Sequence, residues 1–358
     1  MKVLALTPGP TQVSPGLRYR IEQWEPLLRQ DGIDITYAPF MDVELERLLY
    51  ARGATLSKIK GMMSAYMRQL GSIAAAREFD LVYVFREAAL IGPAVIEPLI
   101  ARRKTPIVFD FDDAIFVRYR SPSNAYWSYL KFAGKTATLC NKASEVMAGN
   151  AYLADYASRH NDAVTVIPTT IDTDLYRPER RRPRNDGTVT LGWTGSHSTA
   201  QHLERLRPAL TKLAAHKPFR LVVVGARARE IPGALVEARR WSAETEVDDL
   251  SDIDIGIMPL PDDAWTRGKC GLKALQYMGL GIPAVVSPVG VNTEIIADGV
   301  NGLIADTDEE WLDRLTSLIN DAALRSKLDR AARETVEQRY SAKHIAPQVA
   351  AISRRASG

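Results

Sequence analysis

The segment Gly268–Gly290, GKCGLKALQYMGLGIPAVVSPVG, contains a glycine-containing loop, a helical run and a short apolar strand in immediate succession. The loop leads into a helix of about ten residues. Gly279 and Gly281 are expected to end that helix, and Pro283 prevents its continuation. Ala284–Val286 then forms a buried strand. A loop, a helix and a strand in this order are typical of an α/β domain with a parallel sheet.

Similar short apolar runs recur along the chain, each followed by a helical pattern. In the first half, strands are predicted at Val3–Leu6, Ile33–Tyr37, Leu81–Phe85, Ile107–Phe109, Val146–Ala148 and Val164–Ile167. In the second half, they are predicted at Val189–Trp193, Arg220–Val224, Ile253–Met258, Ala284–Val286 and Gly302–Ile304. Strands that alternate with helices indicate parallel sheets covered on both faces. The predicted fold class is therefore α/β, with two Rossmann-like doubly wound domains and a helical C-terminal tail.

The length of 358 residues exceeds one typical core and suits two domains. Residues 176–187 are rich in proline and arginine, so they are predicted to form an exposed linker. We expect an N-terminal domain over 1–175, a C-terminal domain over 188–340, and a helix over 341–358 that can pack back on the first domain. Ligands of such sheets bind beyond the carboxyl ends of the strands, and a cleft between two domains is the expected active site.

The composition argues against several classes of protein. The apolar and charged fractions, 46% and 25%, are those of an ordinary soluble protein, and the net charge of +3 gives nucleic-acid binding no support. Cys140 and Cys270 lie far apart, which indicates a reducing compartment, and five scattered histidines argue against a structural zinc site. No apolar run approaches the ~20 residues of a membrane span, and the start MKVLALTPGP is predicted to be a strand. A cytoplasmic protein is therefore expected.

The loop that begins the opening segment is a candidate phosphate site. Gly268, Lys269 and Gly271 precede a helix start, where free backbone N–H groups and the helix dipole suit a diphosphate. Lys269 adds a point charge. A second glycine-containing turn, at Gly195 and Ser196, also lies between a predicted strand and a helix. An ordinary loop at the first place and simple helix capping at the second are open alternatives. Neither turn has the pattern GxGxxG, so NAD is set aside and no cofactor is predicted.

Several ordered motifs together carry a resemblance to a known family. They are Val166-Ile167-Pro168, Tyr176-Arg177-Pro178, Val222-Val223-Val224-Gly225, Cys270-Gly271-Leu272, Gly281-Ile282-Pro283-Ala284-Val285-Val286-Ser287 and Glu294-Ile295-Ile296. With them, the region from Ala143 to Tyr340 resembles the family 4 glycosyltransferases, which are retaining enzymes of the GT-B fold. The first 140 residues follow that family only in general layout. The segment GKCGLKALQYM is similar to a subset of the family with the pattern GKxGxKxxQYM.

The resemblance implies a nucleotide-sugar donor site in the C-terminal domain. The two glutamates of the family fall on Gly268 and Gln276, and Gln276 can still hydrogen-bond a ribose hydroxyl although it carries no charge. Asp262 or Asp263 of the same loop can replace the first glutamate, and Lys269 is expected near the diphosphate. The predicted donor-binding residues are Gly195, Ser196, Gly268, Lys269, Gly271, Leu272, Gln276 and Glu294.

The N-terminal half offers candidates for contact with the acceptor or with phosphate. The loop after the first strand contains Gly16, Arg18 and Arg20, and Arg86 follows a later predicted strand. In GT-B enzymes the first of these loops reaches the cleft and can contact donor phosphate or acceptor. A plain loop with solvated arginines is the alternative.

Three carboxylates crowd the end of a predicted strand in IVFDFDDA, residues 107–114. Asp110, Asp112 and Asp113 raise one another's pKa unless a cation, an arginine or a polar substrate relieves the repulsion. In a GT-B enzyme, Asp112 and Asp113 would face the sugar or the acceptor, and with Lys269 they are the predicted catalytic residues. Three alternatives are open. The segment can bind a metal with diphosphate, it can be a phosphatase motif with Asp110 as nucleophile and Asp112 as acid/base, or Asp110 and Asp113 can cap the next helix.

A basic amphipathic helix is predicted within Arg47–Arg77, which contains six basic residues and no acid. Apolar side chains at spacings of three and four define a face that is expected to pack into the core: Leu56, Ile59, Met63, Tyr66, Leu70 and Ile73. In the alternative, the helix lies on an anionic membrane surface through its basic residues Arg52, Lys58, Lys60 and Arg68. That position, on the inner face of the membrane, suits a lipid-linked acceptor.

Together with the resemblance, these features predict a glycosyltransferase that moves a sugar from a nucleotide-diphosphate donor to a glycan or lipid-linked acceptor. The resemblance implies retention of configuration without a metal. In that mechanism the leaving phosphate itself can accept the proton of the acceptor, so no dedicated protein base is required. The alternatives are a metal-dependent phosphatase that uses Asp110 and Asp112, and a catalytically silent nucleotide-binding protein of the same fold. No nucleic-acid partner is expected.

Overall fold

A computed structural model describes residues 1–50, 55–117, 132, 134–184 and 186–358. The chain divides into two units. The first contains Met1–Thr169 together with Ile345–Gly358, and the second contains Thr170–His344.

The first unit is built on a parallel sheet whose described part has six strands in the order β2-β1-β3-β4-β5-β6. The strands are β1 Lys2–Thr7, β2 Asp34–Pro39, β3 Leu81–Phe85, β4 Ile107–Phe111, β5 Glu145–Ala148 and β6 Val164–Val166. Its helices are α1 Pro15–Leu17, α2 Gln23–Gln30, α3 Val43–Tyr50, α4 Thr55–Ala75, α5 Ile96–Arg102, α6 Lys135–Lys142 and α7 Ala151–Ser158, with a π-helical turn at Arg18–Glu22 and a 3₁₀ turn at Ala76–Glu78. The central strands β3 and β4 are buried along their whole length, as expected for apolar strands covered on both faces.

The second unit has a parallel sheet whose described strands follow the order β12-β11-β10-β7-β8-β9. They are β7 Thr190–Thr194, β8 Arg220–Val224, β9 Leu235–Arg239, β10 Ile255–Met258, β11 Ala284–Val286 and β12 Leu303–Ile304. The helices are α8 Ala200–Arg205, α9 Arg207–His216, α10 Glu246–Leu250, α11 Leu272–Gly279, α12 Asn292–Ile295, α13 Asp308–Asn320, α14 Ala322–Thr335 and α15 Ala342–Ser357, with 3₁₀ turns at Pro178–Arg180 and Thr266–Gly268 and a π-helical turn at Val336–Tyr340.

The prediction of two parallel α/β sheets and a helical C-terminal region is confirmed. The strand β9 escaped prediction. Its sequence, LVEAR, carries two charged residues, and its side chains are at most half-buried because it lies at the sheet edge. A strand of this kind lacks the continuous apolar run by which the other strands are recognised.

The segment predicted as a linker contacts the second unit at several points. Tyr176 is fully buried, Arg180 pairs with Asp248 at 2.7 Å, and Arg181 donates to the carbonyl oxygen of Gly281. The final helix α15 begins in the second unit, and its residues from 345 onward belong to the first unit. There the guanidinium of Arg355 forms a two-pronged ion pair with Glu145 of β5.

The helix α4 packs through a face that coincides with the predicted one at Ile73 and departs from it elsewhere. Its buried residues are Met62, Ala65, Gln69, Ser72 and Ile73. The prediction that Leu56, Ile59 and Met63 pack into the core is wrong, because all three are exposed. Small side chains allow the close approach instead. A Cβ on Gly61 would lie 2.7 Å from Leu45 Cδ1 of α3.

Candidate functional site

Two loops meet at the carboxyl edge of the second sheet. Gly195 follows β7, and its backbone N–H donates to the carbonyl oxygen of Val224 at the end of β8. Gly225, the next residue, has a φ of +86°, and a Cβ there would lie 2.6 Å from the carbonyl oxygen of Gly195. Only glycine tolerates both the backbone angle and the contact. The turn at Gly195 and Ser196 is therefore fixed by backbone packing, and the hydroxyl of Ser196 is exposed, 2.8 Å from Ser198 Oγ.

The alternative of simple helix capping at this turn is not supported by the side chain at the N-cap of the next helix. The helix α8 starts after Thr199, but the Thr199 side chain makes no cap hydrogen bond to the helix. Its hydroxyl donates instead to the carbonyl oxygen of Ser196. The first turn of α8 thus has no side-chain acceptor from its own N-cap residue.

The loop before α11 is held by its own acidic residues. The carboxylate of Asp263 accepts from the backbone N–H groups of Trp265 and Thr266 at 2.9 and 2.8 Å. Asp262 pairs with Arg267 through two hydrogen bonds of 2.6 and 2.9 Å. The two carboxylates that were considered as substitutes for the missing glutamate are thus engaged within the loop itself.

The helix α11 begins where the sequence predicts a phosphate loop. Its N-cap is Gly271, with a φ of +70° and no side-chain cap. A Cβ on Gly271 would lie 2.2 Å from Ile295 Cδ1, so this position requires glycine. Gly268 is buried just before it, and Leu272 is half-buried as the first helical residue. The first turn of α11 therefore offers backbone N–H groups at the positive end of an eight-residue helix.

Two lysines stand over tryptophan rings at this helix start. The Nζ atom of Lys269 lies 4.9 Å from the ring centre of Trp265, and that of Lys273 lies 4.8 Å from the ring centre of Trp193. Burial and the nearby Lys269 lower the pKa of Lys273 to about 7. The second lysine was missed by the sequence reasoning, although the pattern GKxGxKxxQYM contains it.

A histidine from α8 belongs to the same cluster. His202 is 4% exposed, and its Nε2 atom has no hydrogen-bond partner among the described residues. Burial, and then the charges of Lys273 and Lys269, lower the pKa of His202 to about 4, so its imidazole is neutral at pH 7. The nearby Asp263 opposes this shift and Arg205 adds to it.

Gln276 and Glu294 differ in their exposure to solvent. Gln276 is 2% exposed, and its Nε2 atom donates to Tyr176 Oη at 3.1 Å and to Glu246 Oε1 at 3.0 Å. Its amide nitrogen is thus used within the second unit, which leaves the predicted contact with ribose without structural support. Glu294 is exposed on the short helix α12.

In the first unit, Arg86 forms ion pairs with two of the three candidate carboxylates, Asp112 and Asp113. Its Nε atom donates to Asp112 Oδ1 and its terminal nitrogen to Asp113 Oδ2, both at 2.7 Å. Arg86 has a φ of +59°, an uncommon angle for a residue other than glycine, directly after β3. Gly16 adjoins this pair, since a Cβ there would lie 2.9 Å from the Arg86 guanidinium. Burial raises the pKa of Asp112, with Arg86 opposing and Asp113 adding to the shift.

The third carboxylate has a separate arginine. Asp110 and Arg20 are both fully buried, and Arg20 Nε donates to Asp110 Oδ2 at 3.0 Å while Tyr83 Oη donates to the same oxygen. Arg20 also donates to the carbonyl oxygen of Ile167. The predicted contact of Arg20 with phosphate or acceptor is therefore wrong in this structure, because the side chain is enclosed in the core. The half-buried Arg18 is closer to the surface.

The same geometry bears on the phosphatase alternative. A nucleophile must reach its substrate, whereas Asp110 is enclosed and accepts hydrogen bonds from two buried side chains. Among the described residues, the carboxylate of Asp110 accepts hydrogen bonds from Arg20 and Tyr83 and caps no helix. Within the described residues, no group of three or more histidine, cysteine or acidic side chains has the geometry of a metal site.

Comparison with known proteins finds a family that matches part of the second unit, together with similar curated proteins and solved structures. Residues 188–321 match the family described as "Glycosyl transferases group 1". A D-inositol 3-phosphate glycosyltransferase of Stackebrandtia nassauensis is 28% identical over 221 residues, 51% of this chain and 48% of that protein. The chain thus spans about half the length of this curated relative.

Solved structures are similar over the whole chain. Anabaena Alr3699/HepE in complex with UDP and glucose has a TM-score of 0.67 at 17% identity, with 98% of both chains covered. Sucrose-phosphate synthase (tll1590) from Thermosynechococcus elongatus has a TM-score of 0.69 at 14% identity, with 99% of both covered. The predicted fold class is confirmed: the chain has the GT-B fold, and its second unit contains the region that matches the group 1 glycosyl transferases.

Proposed function

We propose that the protein is a glycosyltransferase that uses a nucleotide-diphospho-sugar donor. The observation that carries the proposal is the start of α11, where Lys269, Gly271 and a helix N-terminus without a side-chain cap lie together. This start lies within residues 188–321, which match the group 1 glycosyl transferases. The UDP complex of the Anabaena protein makes UDP the first nucleotide to test.

In the proposed reaction, negative charge develops on the departing diphosphate. Lys269, the backbone around Gly271 and the turn at Gly195 and Ser196 would stabilise that charge, and donors positioned in advance contribute most to such a transition state. The acceptor would be a glycan or a lipid-linked hydroxyl. Its oxygen bonds to the anomeric carbon on the face that the diphosphate leaves, while the bond from that carbon to the diphosphate breaks and the hydroxyl proton passes to the leaving phosphate. The sugar therefore keeps its configuration, no protein base is required, and no metal takes part.

Asp112 and Asp113 are proposed to orient the sugar or the acceptor hydroxyl. Their carboxylates are held by Arg86 and adjoin Gly16, so they are fixed in place before any ligand arrives. Fixed hydrogen-bond acceptors of this kind position a reacting hydroxyl without a cost of reorganisation. We assign Arg20 no part in catalysis.

The test measures sugar transfer. Purified protein is incubated with UDP-, GDP- and ADP-sugars and with lipid and glycan acceptors, and release of the nucleoside diphosphate is followed. Replacement Lys269→Ala is expected to lower the rate by about 10²–10³, as for loss of one donor to a developing charge. The control is Lys212→Ala, an exposed lysine of the same unit that faces Glu309 at 3.6 Å.

A rate for Lys269→Ala equal to that of the Lys212→Ala control would contradict the assignment. Thermal stabilisation by a nucleotide without any transfer would instead favour the catalytically silent alternative, to which the replacement of both family glutamates points. No stabilisation by any nucleotide would count against both. Chelation of metals should leave the rate unchanged, and the anomeric configuration of the product should equal that of the donor.

We also propose that α4 binds an anionic membrane surface, which would bring a lipid-linked acceptor to the enzyme. Four apolar side chains form an exposed stripe on α4: Leu56, Ile59, Met63 and Met67, with exposed fractions of 76%, 49%, 57% and 61%. Lys58, Lys60 and Arg68 accompany them, and α4 contains no acidic residue. An apolar stripe flanked by basic residues matches the interface of an anionic bilayer. Arg52 lies outside the described residues. None of the described helices is long and apolar enough to cross a bilayer.

Flotation with vesicles tests this surface. The full chain should bind vesicles that contain phosphatidylglycerol and not vesicles of phosphatidylcholine alone. Charge reversal of Lys58 and Lys60 to Glu should weaken binding at least tenfold, since each basic residue near such a surface contributes about 1 kcal/mol. Lys142→Glu, an exposed site on α6, is the matched control. Equal binding by the double variant and the control would refute the proposal.

A further inference from the structure

The ammonium of Lys273 has no anionic partner among the described residues. The side chain is half-buried, and its neighbours are the Trp193 ring and the charge of Lys269. Within the described part of the chain, no hydrogen bond or ion pair to Lys273 is present. Burying an ammonium without a carboxylate destabilises its charged form, which explains the low pKa. The surroundings of Lys273 would therefore be stabilised by a bound anion.

His202 supplies an independent sign of a ligand. Its Nε2 atom is buried beside the two lysines and has no hydrogen-bond partner among the described residues. Buried polar atoms are almost always hydrogen-bonded, so an orphan of this kind indicates a bound group. A neutral imidazole whose proton is on Nε2 donates one hydrogen bond to such a group.

We propose that Lys273 and His202, together with Lys269, form the pocket that binds the diphosphate of the nucleotide-sugar donor. The inference rests on the proposed function and assigns it two further residues. Two ammonium groups, one imidazole N–H and the backbone N–H groups at the start of α11 match the several oxygens of a diphosphate. A single carboxylate would leave most of these donors unused.

The affinity of this pocket for diphosphate should depend on pH. The groups that act on Lys273 and His202 are Lys269, Asp263 and Arg205. Near pH 7 the free protein holds Lys273 only partly protonated, and a bound diphosphate raises the pKa of this group because an opposite charge favours the ammonium. Binding therefore takes up a proton above pH 7, and affinity falls as the pH rises further.

Calorimetric titration of the full chain with inorganic pyrophosphate and with UDP tests the pocket. Titrations at pH 7.5 in two buffers of different ionisation enthalpy give the number of protons taken up. Lys273→Met, which keeps most of the length of the side chain and removes its charge, should weaken the binding of both ligands by about 10- to 100-fold, as for loss of a hydrogen bond to a charged group. The same variant should also abolish the part of the proton uptake that is due to the protein.

Two further variants separate charge from packing. Lys273→Arg should restore most of the affinity without proton uptake by the protein, because arginine stays charged at all these pH values. Any proton uptake that this variant still shows is therefore due to the ligand. His202→Phe should weaken pyrophosphate while uridine, which has no phosphate, is unaffected. Lys212→Met is the control, and thermal unfolding verifies that each variant is folded.

The outcomes distinguish this inference from the proposed function. Unchanged affinity and proton uptake in Lys273→Met, with binding of UDP that still depends on Lys269, would overturn the pocket and leave the proposed function intact. Binding of pyrophosphate that depends on Lys273, without binding of any nucleotide, would support the pocket and contradict the proposed function. No binding of either ligand to the unaltered protein would overturn both.

Discussion

The carboxyl edges of the two sheets differ in whether their cationic side chains are paired with carboxylates. In the first unit each inward arginine has carboxylates: Arg20 is paired with Asp110, and Arg86 is paired with Asp112 and Asp113. In the second unit, Lys273 has an aromatic ring and another lysine, with no carboxylate bound to it in the described residues. At the first edge three carboxylates already offset the two arginines without a ligand, whereas at the second edge Lys273 has no carboxylate to offset its charge among the described residues. The difference indicates that ion pairs hold the charged side chains of the first edge in place without a ligand, whereas the second edge is suited to bind an anion.

The largest loss of stability is expected when the buried ion pair of the first unit is broken. Arg20→Met leaves the buried Asp110 without its cation, and loss of one partner of a buried pair costs about 3–5 kcal/mol. Urea unfolding measures the change. The control is Arg159→Met, because Arg159 and Asp155 form an exposed pair and such pairs contribute at most about 1 kcal/mol. Equal losses in the two variants would show that the buried pair has no special role.

The corresponding change in the second unit should have the opposite sign and a smaller size. Lys273→Met removes a cation that has no carboxylate, so the free protein should gain about 1 kcal/mol of unfolding free energy at pH 7. The low pKa of Lys273 in the folded state means that the unfolded chain binds the proton more tightly. Stability of the unaltered protein should therefore rise between about pH 7 and pH 10.4, and the variant should lack this slope. A loss of stability as large as that of Arg20→Met would contradict the contrast between the edges.

The sequence predicts the fold well because most strands are continuous apolar runs. β3, β8 and β11 begin and end at the predicted residues. The face of α4 was predicted correctly only at Ile73, because the helix also packs through Ala65, Ser72 and Gly61, small residues that a search for large apolar side chains does not count. Local patterns thus fix the elements better than they fix the contacts between them.

The site was harder to predict because its charges depend on distant residues. Arg20 is buried by Asp110, which lies 90 residues away in the chain. The surroundings of Lys273 depend on Trp193 and His202, which belong to β7 and α8. The spacing of residues within one loop shows none of this. Lys269 and Gly271 could be identified from sequence because a glycine-containing helix start is a local feature.

The most direct test of the account is amide hydrogen exchange of the full chain with and without UDP, read by mass spectrometry of peptides. Binding at the second edge should slow exchange in two segments: residues 193–202, which include the turn at Gly195, and residues 266–276, which include Lys269 and Lys273. Peptides from the buried pair of Arg20 and Asp110 should be unchanged. Protection confined to other segments, or no protection at saturating UDP, GDP or ADP, would contradict a diphosphate site at the start of α11.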